Sequence, residues 1–117
     1  MTMDIEVDFL FSAAHQLPFY DGPCKRMHGH NYRVRIGLAG EVEPKSGMVF
    51  DFLKVKEVFD REIMPSCDHR VLNELMENPT AEHLIAWMWG KLAPSMSGLK
   101  ELRLWETPEF CVIFRGP

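Results

Sequence analysis

From Ile5 to Phe11 the chain alternates, with Ile5, Val7, Phe9 and Phe11 on one side and Glu6 and Asp8 on the other. A period of two residues predicts a strand with one buried face. The same period returns over about 30–42, where Tyr32, Val34, Ile36 and Leu38 oppose Arg33 and Arg35. The stretch Pro18 to Pro23 between these runs, containing Asp21-Gly22-Pro23, predicts a loop. Glu43-Pro44-Lys45-Ser46-Gly47 then turns the chain, and Met48 to Phe52 is expected to form a short extended piece. At Leu53 the period changes. Val55, Val58, Phe59 and Ile63 follow helical spacing up to Met64, and Pro65 is expected to stop that helix. Ser66 to Asn78 shows no period and reads as irregular. Ala81, Leu84, Ile85, Met88 and Leu92 predict a second helix that begins near Asn78-Pro79-Thr80, with Asn78 or Thr80 as cap, and ends before Pro94. Two strands follow, Leu99 to Glu106 and Phe110 to Arg115, joined at Thr107-Pro108-Glu109.

The order ββααββ predicts an α+β fold in which a four-stranded antiparallel sheet carries both helices on one face. No repeat, linker or low-complexity stretch divides residues 1–117, so one domain is expected. A sheet this small leaves open edges, which are often closed by other subunits, so a homo-oligomer is expected. The net charge of −4 argues against nucleic acid as a partner, while leaving room for a small basic pocket. The longest apolar runs fall short of 18 residues, so no membrane span is expected. The N-terminal residues Met1 to Glu6 lack the basic and apolar regions of a secretory signal, which makes the cytoplasm the expected compartment. Cys24, Cys67 and Cys111 are odd in number and widely spaced, against a disulfide framework.

The segment Cys24-Lys25-Arg26-Met27-His28-Gly29-His30 carries the most chemistry. Residues two apart on a strand share a face, so His28 and His30 aim at one point, and Gly29 lets backbone approach a ligand closely. His15 ends the first strand region; if the first two strands form a hairpin, it lies beside them. Three neutral imidazoles with a fourth place open are the arrangement of a catalytic zinc site. A lone His-x-His pair is usually an ordinary polar pair, but here three of only five histidines converge.

Cys24 could be a fourth ligand, a nucleophile or base whose thiol is acidified by a metal with Lys25 and Arg26, or a small buried hydrophobe. Burial suits Cys111 better, since it lies in the apolar run Cys111-Val112-Ile113-Phe114; Cys67 is ambiguous. Asp68 and His69 form a candidate proton-transfer pair. Glu106, at the end of a strand in an apolar context, needs a partner, either an arginine or a ligand with adjacent N–H donors such as a pterin ring. Asp51 suits a helix cap.

Taken together, these pieces resemble the family of 6-pyruvoyltetrahydropterin and 6-carboxytetrahydropterin synthases. The resemblance covers nearly the whole chain and rests on six segments in order. They are Phe11-Ser12-Ala13-Ala14-His15; Cys24 through Tyr32; Gly47-Met48-Val49-Phe50-Asp51-Phe52; Asp68-His69-x-x-Leu72-Asn73; Pro79-Thr80-Ala81-Glu82; and Trp105-Glu106-Thr107. It implies the tunnelling fold, in which ββααββ subunits join into a barrel, commonly a trimer stacked into a hexamer, with sites between subunits. It implies His15, His28 and His30 as Zn²⁺ ligands, Cys24 as the proton-abstracting residue, and Asp68 with His69 as its relay. Glu106 matches the residue that holds the pterin, with Thr80 near the same ring and Thr107 a weaker neighbour.

Three residues separate Cys24 from His28, a spacing similar to the bacterial carboxytetrahydropterin branch, which serves queuosine and related 7-deazapurines. A folate-related branch has glutamate in place of this cysteine, and no such replacement occurs here. Cys67 stands where the family pattern leads one to expect leucine. The implied substrate is 7,8-dihydroneopterin triphosphate, and the implied products are 6-carboxy-5,6,7,8-tetrahydropterin, acetaldehyde and triphosphate. The pyruvoyl-forming synthase of biopterin formation is the alternative enzyme, and a non-catalytic zinc- or pterin-binding assembly protein is the alternative of another class. Lys25, Arg26, Lys56 and Arg70 are candidate phosphate partners.

Overall fold

The computed structural model describes residues 1–117. Strands β1 (Thr2–His15) and β2 (His28–Glu41) are followed by helix α1 (Phe52–Glu62), the short helix α2 (Met64–Cys67) and the two-residue strand β3 (Arg70–Val71). Helix α3 (Ala81–Leu92) and strands β4 (Leu99–Thr107) and β5 (Phe110–Phe114) complete the chain. The strands form one sheet in the order β3-β1-β2-β4-β5. The four long strands pair antiparallel, as the alternation predicts. A fifth, β3, is added beside β1 in parallel, through Ala13–Arg70 and Ala14–Val71. So short a strand carries no period of its own; it exists because β1 offers unpaired backbone groups at that edge.

Both main helices cover the face predicted to be apolar. Tyr32, Val34, Ile36 and Leu38 of β2 are fully buried beneath Val55, Val58 and Phe59 of α1 and Leu84, Met88 and Leu92 of α3. The Phe59 ring stacks on Phe9 with centroids 4.1 Å apart, tying α1 to β1. Removing one such ring from water stabilises the fold by about 2–3 kcal/mol. Asp51 caps α1, its carboxylate accepting from the Leu53 N–H (2.9 Å). Thr80 caps α3 by accepting from the His83 N–H (3.1 Å), which decides between the two candidate caps and places Pro79 ahead of the helix.

Three local expectations are corrected. Pro65 does not simply stop a helix: α1 ends at Glu62 and Pro65 sits in the first turn of α2, where its missing N–H leaves no bond unmade. Residues 66–78, expected to be irregular, contain the end of α2, β3 and a 3-10 turn at Leu72–Glu74. Residues 48–51 form no strand, and Phe52 already belongs to α1. The expected burial of Cys111 is also corrected, and the open case of Cys67 is decided. Cys67 is fully buried, and burial pushes its thiol up to about 12, so it takes the space of the expected leucine as a small hydrophobe. Cys111 is exposed, because β5 is an edge strand on which Val112 and Phe114, not Cys111, pack against the core. No helix is long and apolar enough to cross a membrane.

Candidate functional site

The β1–β2 hairpin stays in register from Thr2–Glu41 to His15–His28, and Ala13 faces His30. The sequence-predicted histidines are thereby brought together on the helix-covered side, one on each arm and a third two residues along. Their ligand nitrogens lie within 4.8 Å of one another. His15 is fully buried, held against the start of α3 where its Nδ1 lies 2.8 Å from the Pro79 carbonyl. His28 Nδ1 lies 2.7 Å from the Arg26 carbonyl. A carbonyl only accepts, so Nδ1 carries the proton in both rings and each Nε2 presents a lone pair. Those two nitrogens stand 3.0 Å apart. His30 Nε2 is buried without any hydrogen-bond partner. Burial is also the main cause that holds His15 and His30 below their ordinary imidazole values, keeping them neutral.

Three ring nitrogens crowded together, one of them orphaned, form a set of lone-pair donors that a cation among them would satisfy. Backbone carbonyls that fix the ring tautomers are the usual outer support of a metal-binding imidazole. The donor set therefore fits a divalent ion: these three histidines could hold one. Cys24 and Glu106 do not belong to the group of mutually close ligand atoms. Cys24 sits in the 3-10 turn Pro23–Lys25, half-buried, on the loop that joins the two histidine-bearing strands. That loop is fastened by the Leu17 N–H donating to the Cys24 carbonyl (2.9 Å).

Glu106 lies where the β4–β5 register shifts between Trp105 and Thr107, an irregularity that re-aims a side chain. Its carboxylate comes within 3.6 Å of His30 Nε2 and borders a hollow of about 230 Å³ with Ala81, Phe110 and Val112. Thr80 and Thr107 do not join it through their hydroxyl acceptors, which are used locally: Thr80 caps α3, and Thr107 accepts from the Glu109 N–H (3.3 Å).

Asp68 and His69 form a real pair, with Asp68 Oδ2 3.0 Å from His69 Nδ1. The Ser12 N–H donates to Asp68 Oδ1 (3.1 Å), and this bond, followed by the one from His69, holds the Asp68 carboxyl below its ordinary value. His69 has φ 57°, a left-handed conformation unusual for a residue with a side chain, and its N–H donates to the Ser12 carbonyl (2.6 Å). Its ring is 82% exposed and shares no hydrogen bond with Cys24 of the same chain. An open cleft of about 450 Å³ borders Ser12, Gly29, His30, Asn31 and His69.

Tyr32 escaped the sequence reading as a site residue. Its buried hydroxyl lies 3.3 Å from His15 Nδ1, and burial drives its ionisation far above the ordinary range. The signal was present: residues 28, 30 and 32 share one strand face. The Pro79 carbonyl carried no such signal, because a backbone group is the same in every residue.

The fold and the three-imidazole centre together define a pterin-synthase type of domain. The chain belongs to the 6-pyruvoyl tetrahydropterin synthase family, whose model matches residues 4–117. It is 37% identical to the 6-carboxy-5,6,7,8-tetrahydropterin synthase of Synechocystis over 86% of this chain and 83% of that one. It is 38% identical to the dihydroneopterin monophosphate aldolase of Pyrococcus furiosus, over 87% of this chain and 88% of the relative. The structure of Caenorhabditis elegans 6-pyruvoyl tetrahydropterin synthase superposes with a TM-score of 0.91 at 32% identity, covering 100% of this chain and 97% of the other. The fold is thus the tunnelling fold of these enzymes, and pterin chemistry of lyase type is the family's business.

Proposed function

We propose that the protein is a zinc-dependent 6-carboxy-5,6,7,8-tetrahydropterin synthase that takes 7,8-dihydroneopterin triphosphate to 6-carboxytetrahydropterin, acetaldehyde and triphosphate, on the route to queuosine and other 7-deazapurines. The observation that carries this reading is the convergence of three imidazoles beside Glu106. The similarity to the Synechocystis synthase and the Cys24–His28 spacing support the carboxy product. His15, His28 and His30 would hold the zinc, which when bound supplies Lewis acidity toward oxygens of the substrate side chain.

The remaining chemistry falls to the chain itself. Glu106 accepts paired N–H donors of the pterin ring and so fixes which part of the substrate faces the histidines. Cys24 takes a proton from the side chain as thiolate. His69 returns one, with Asp68 keeping its ring oriented through Oδ2, while the Ser12 N–H keeps that carboxylate ionised. Thr80 and Thr107 line the approach to the ring from the ends of α3 and β4. The enzyme works in the cytoplasm as a trimer-based homo-oligomer, in which the outward-facing His69 of one subunit completes the Cys24 site of the next; its exposed ring supports that assignment.

Incubation with 7,8-dihydroneopterin triphosphate and mass identification of the products tests the reading. Acetaldehyde with 6-carboxytetrahydropterin is expected. A 6-pyruvoyl product would move the protein to the biopterin-forming branch. Turnover of dihydroneopterin monophosphate alone would align it with the Pyrococcus aldolase. No turnover of either compound by the zinc-loaded protein would leave a binding protein.

A further inference from the structure

Asn73 belongs to one of the six segments that mark the family resemblance, yet the chemistry above gives it no task. Its carboxamide makes two hydrogen bonds to a single residue of the neighbouring segment. Nδ2–H donates to the Gln16 carbonyl (2.8 Å), and Oδ1 accepts from the Gln16 N–H (2.9 Å). An amide side chain placed this way acts as one more strand residue. It continues the β1–β3 pairing, whose last backbone pair is Ala14–Val71, past His15. At the other end of the same stretch, Ser12 holds Asp68 and His69 through its own N–H and carbonyl. Residues 68–73 are thus fastened along residues 12–16 at both ends, with His15 inside the fastened stretch.

Gln16 is the first residue beyond the end of β1, where the chain leaves the sheet. The next residue, Leu17, is the one that ties the Cys24 loop. We infer that Asn73 is a positioning residue for the histidine centre: its carboxamide fixes the backbone that follows His15, so that the His15 ring meets those of His28 and His30, and it steadies the start of the Cys24 loop. The inference rests on the reading of the three histidines as a metal centre. It gives Asn73 no contact with substrate.

Zinc and cobalt affinities of the metal-free protein, measured by competition with a chromophoric chelator, test it in the parent, in Asn73→Asp and in Asp51→Ala. Asn73→Asp keeps the side-chain shape but turns the donor that faces the Gln16 carbonyl into a second acceptor. Loss of such outer support weakens metal binding by about 10- to 100-fold, and the cobalt absorption spectrum should change with it. Asp51→Ala removes a helix cap beside Met3 and Ile5, about 33–40 Å along β1 from His15, and should leave affinity and spectrum as in the parent.

Parental affinity and spectrum in Asn73→Asp would overturn the inference. So would an equal loss in Asp51→Ala, since the effect would then be one of general stability. If Asn73→Asp does not fold, amide exchange in the parent decides: protection of the Gln16 N–H to the level of β1 supports the clamp, and exchange at the rate of an open loop refutes it. A parent that binds neither metal refutes the metal reading itself, whereas tight binding by Asn73→Asp refutes only the role of Asn73.

Discussion

His15 has its ring oriented by its place in the fold. Nδ1 is tied to the Pro79 carbonyl, and Nε2 faces His28 at 3.0 Å. A residue held this way cannot move to meet a ligand, so a ligand must suit the centre as built. Cys24 is placed differently, on a short turn outside the group of mutually close ligand atoms. That separation argues against a fourth ligand and favours the proposed role of base. Replacing Cys24 by Ala is expected to lower turnover at least about 100-fold, the scale of a lost general base, while bound zinc per chain stays at the parental value. Metal analysis beside the product assay reads both. A metal-free Cys24→Ala protein would make the thiolate a ligand and end the assignment of Cys24 as base.

The sheet as an element has two unlike faces. The covered face is apolar and continuous. The uncovered face carries Asp8 between Arg33 and Arg35, with Arg35 Nε 2.8 Å from the carboxylate, and both guanidinium groups lie over the Trp105 ring at 5.0 and 5.2 Å. Hydrogen bonding from Arg35 is the main cause that lowers the Asp8 carboxyl from 3.8 to about 2. Asp8 binds its proton less readily in the folded protein than in the unfolded chain, so its stabilisation is complete above about pH 4 and is lost as pH falls toward 2. The group is partly exposed, and solvent screening limits the effect to about 1 kcal/mol. Denaturant titrations of the parent and Asp8→Asn should therefore differ at pH 6 by that amount and converge by pH 2. A difference that persists undiminished at pH 2 would mean that Asp8 acts by shape, not charge. The four long strands and both long helices were legible because each has a repeating apolar face. Strand β3, the placement of Pro65 in α2 and the depths of Cys67 and Cys111 were not. Each depends on what lies across a gap in space, such as the free edge of β1 beside Arg70 and Val71. The histidine cluster was legible because a hairpin turns sequence spacing into spatial neighbourhood. The Pro79 carbonyl that supports His15 comes from the segment just ahead of α3 and was invisible for the same reason that β3 was.

At the scale of the whole molecule the single chain is elongated. Its radius of gyration is 15.3 Å, where a compact domain of this length has about 13 Å, and the longest dimension is 53 Å. The β1–β2 hairpin accounts for this extension. Leu10, Phe110 and Ile113 stay exposed on the uncovered face and the β5 edge. The proposed assembly would cover such surface and bring the exposed His69 of one copy to the Cys24 loop of another. Cys24→Ala and His69→Ala subunits, each inactive alone, should then complement one another. After unfolding and refolding together in equal amounts, about a quarter of the sites in a symmetric ring combine an intact Cys24 with an intact His69 from the neighbour, so about a quarter of parental activity should return. Assaying the refolded mixture against each variant refolded alone makes the measurement. A mixture as inactive as its components would place Cys24 and His69 in the same subunit's site, and the relay would have to close within one chain, where no hydrogen bond joins them.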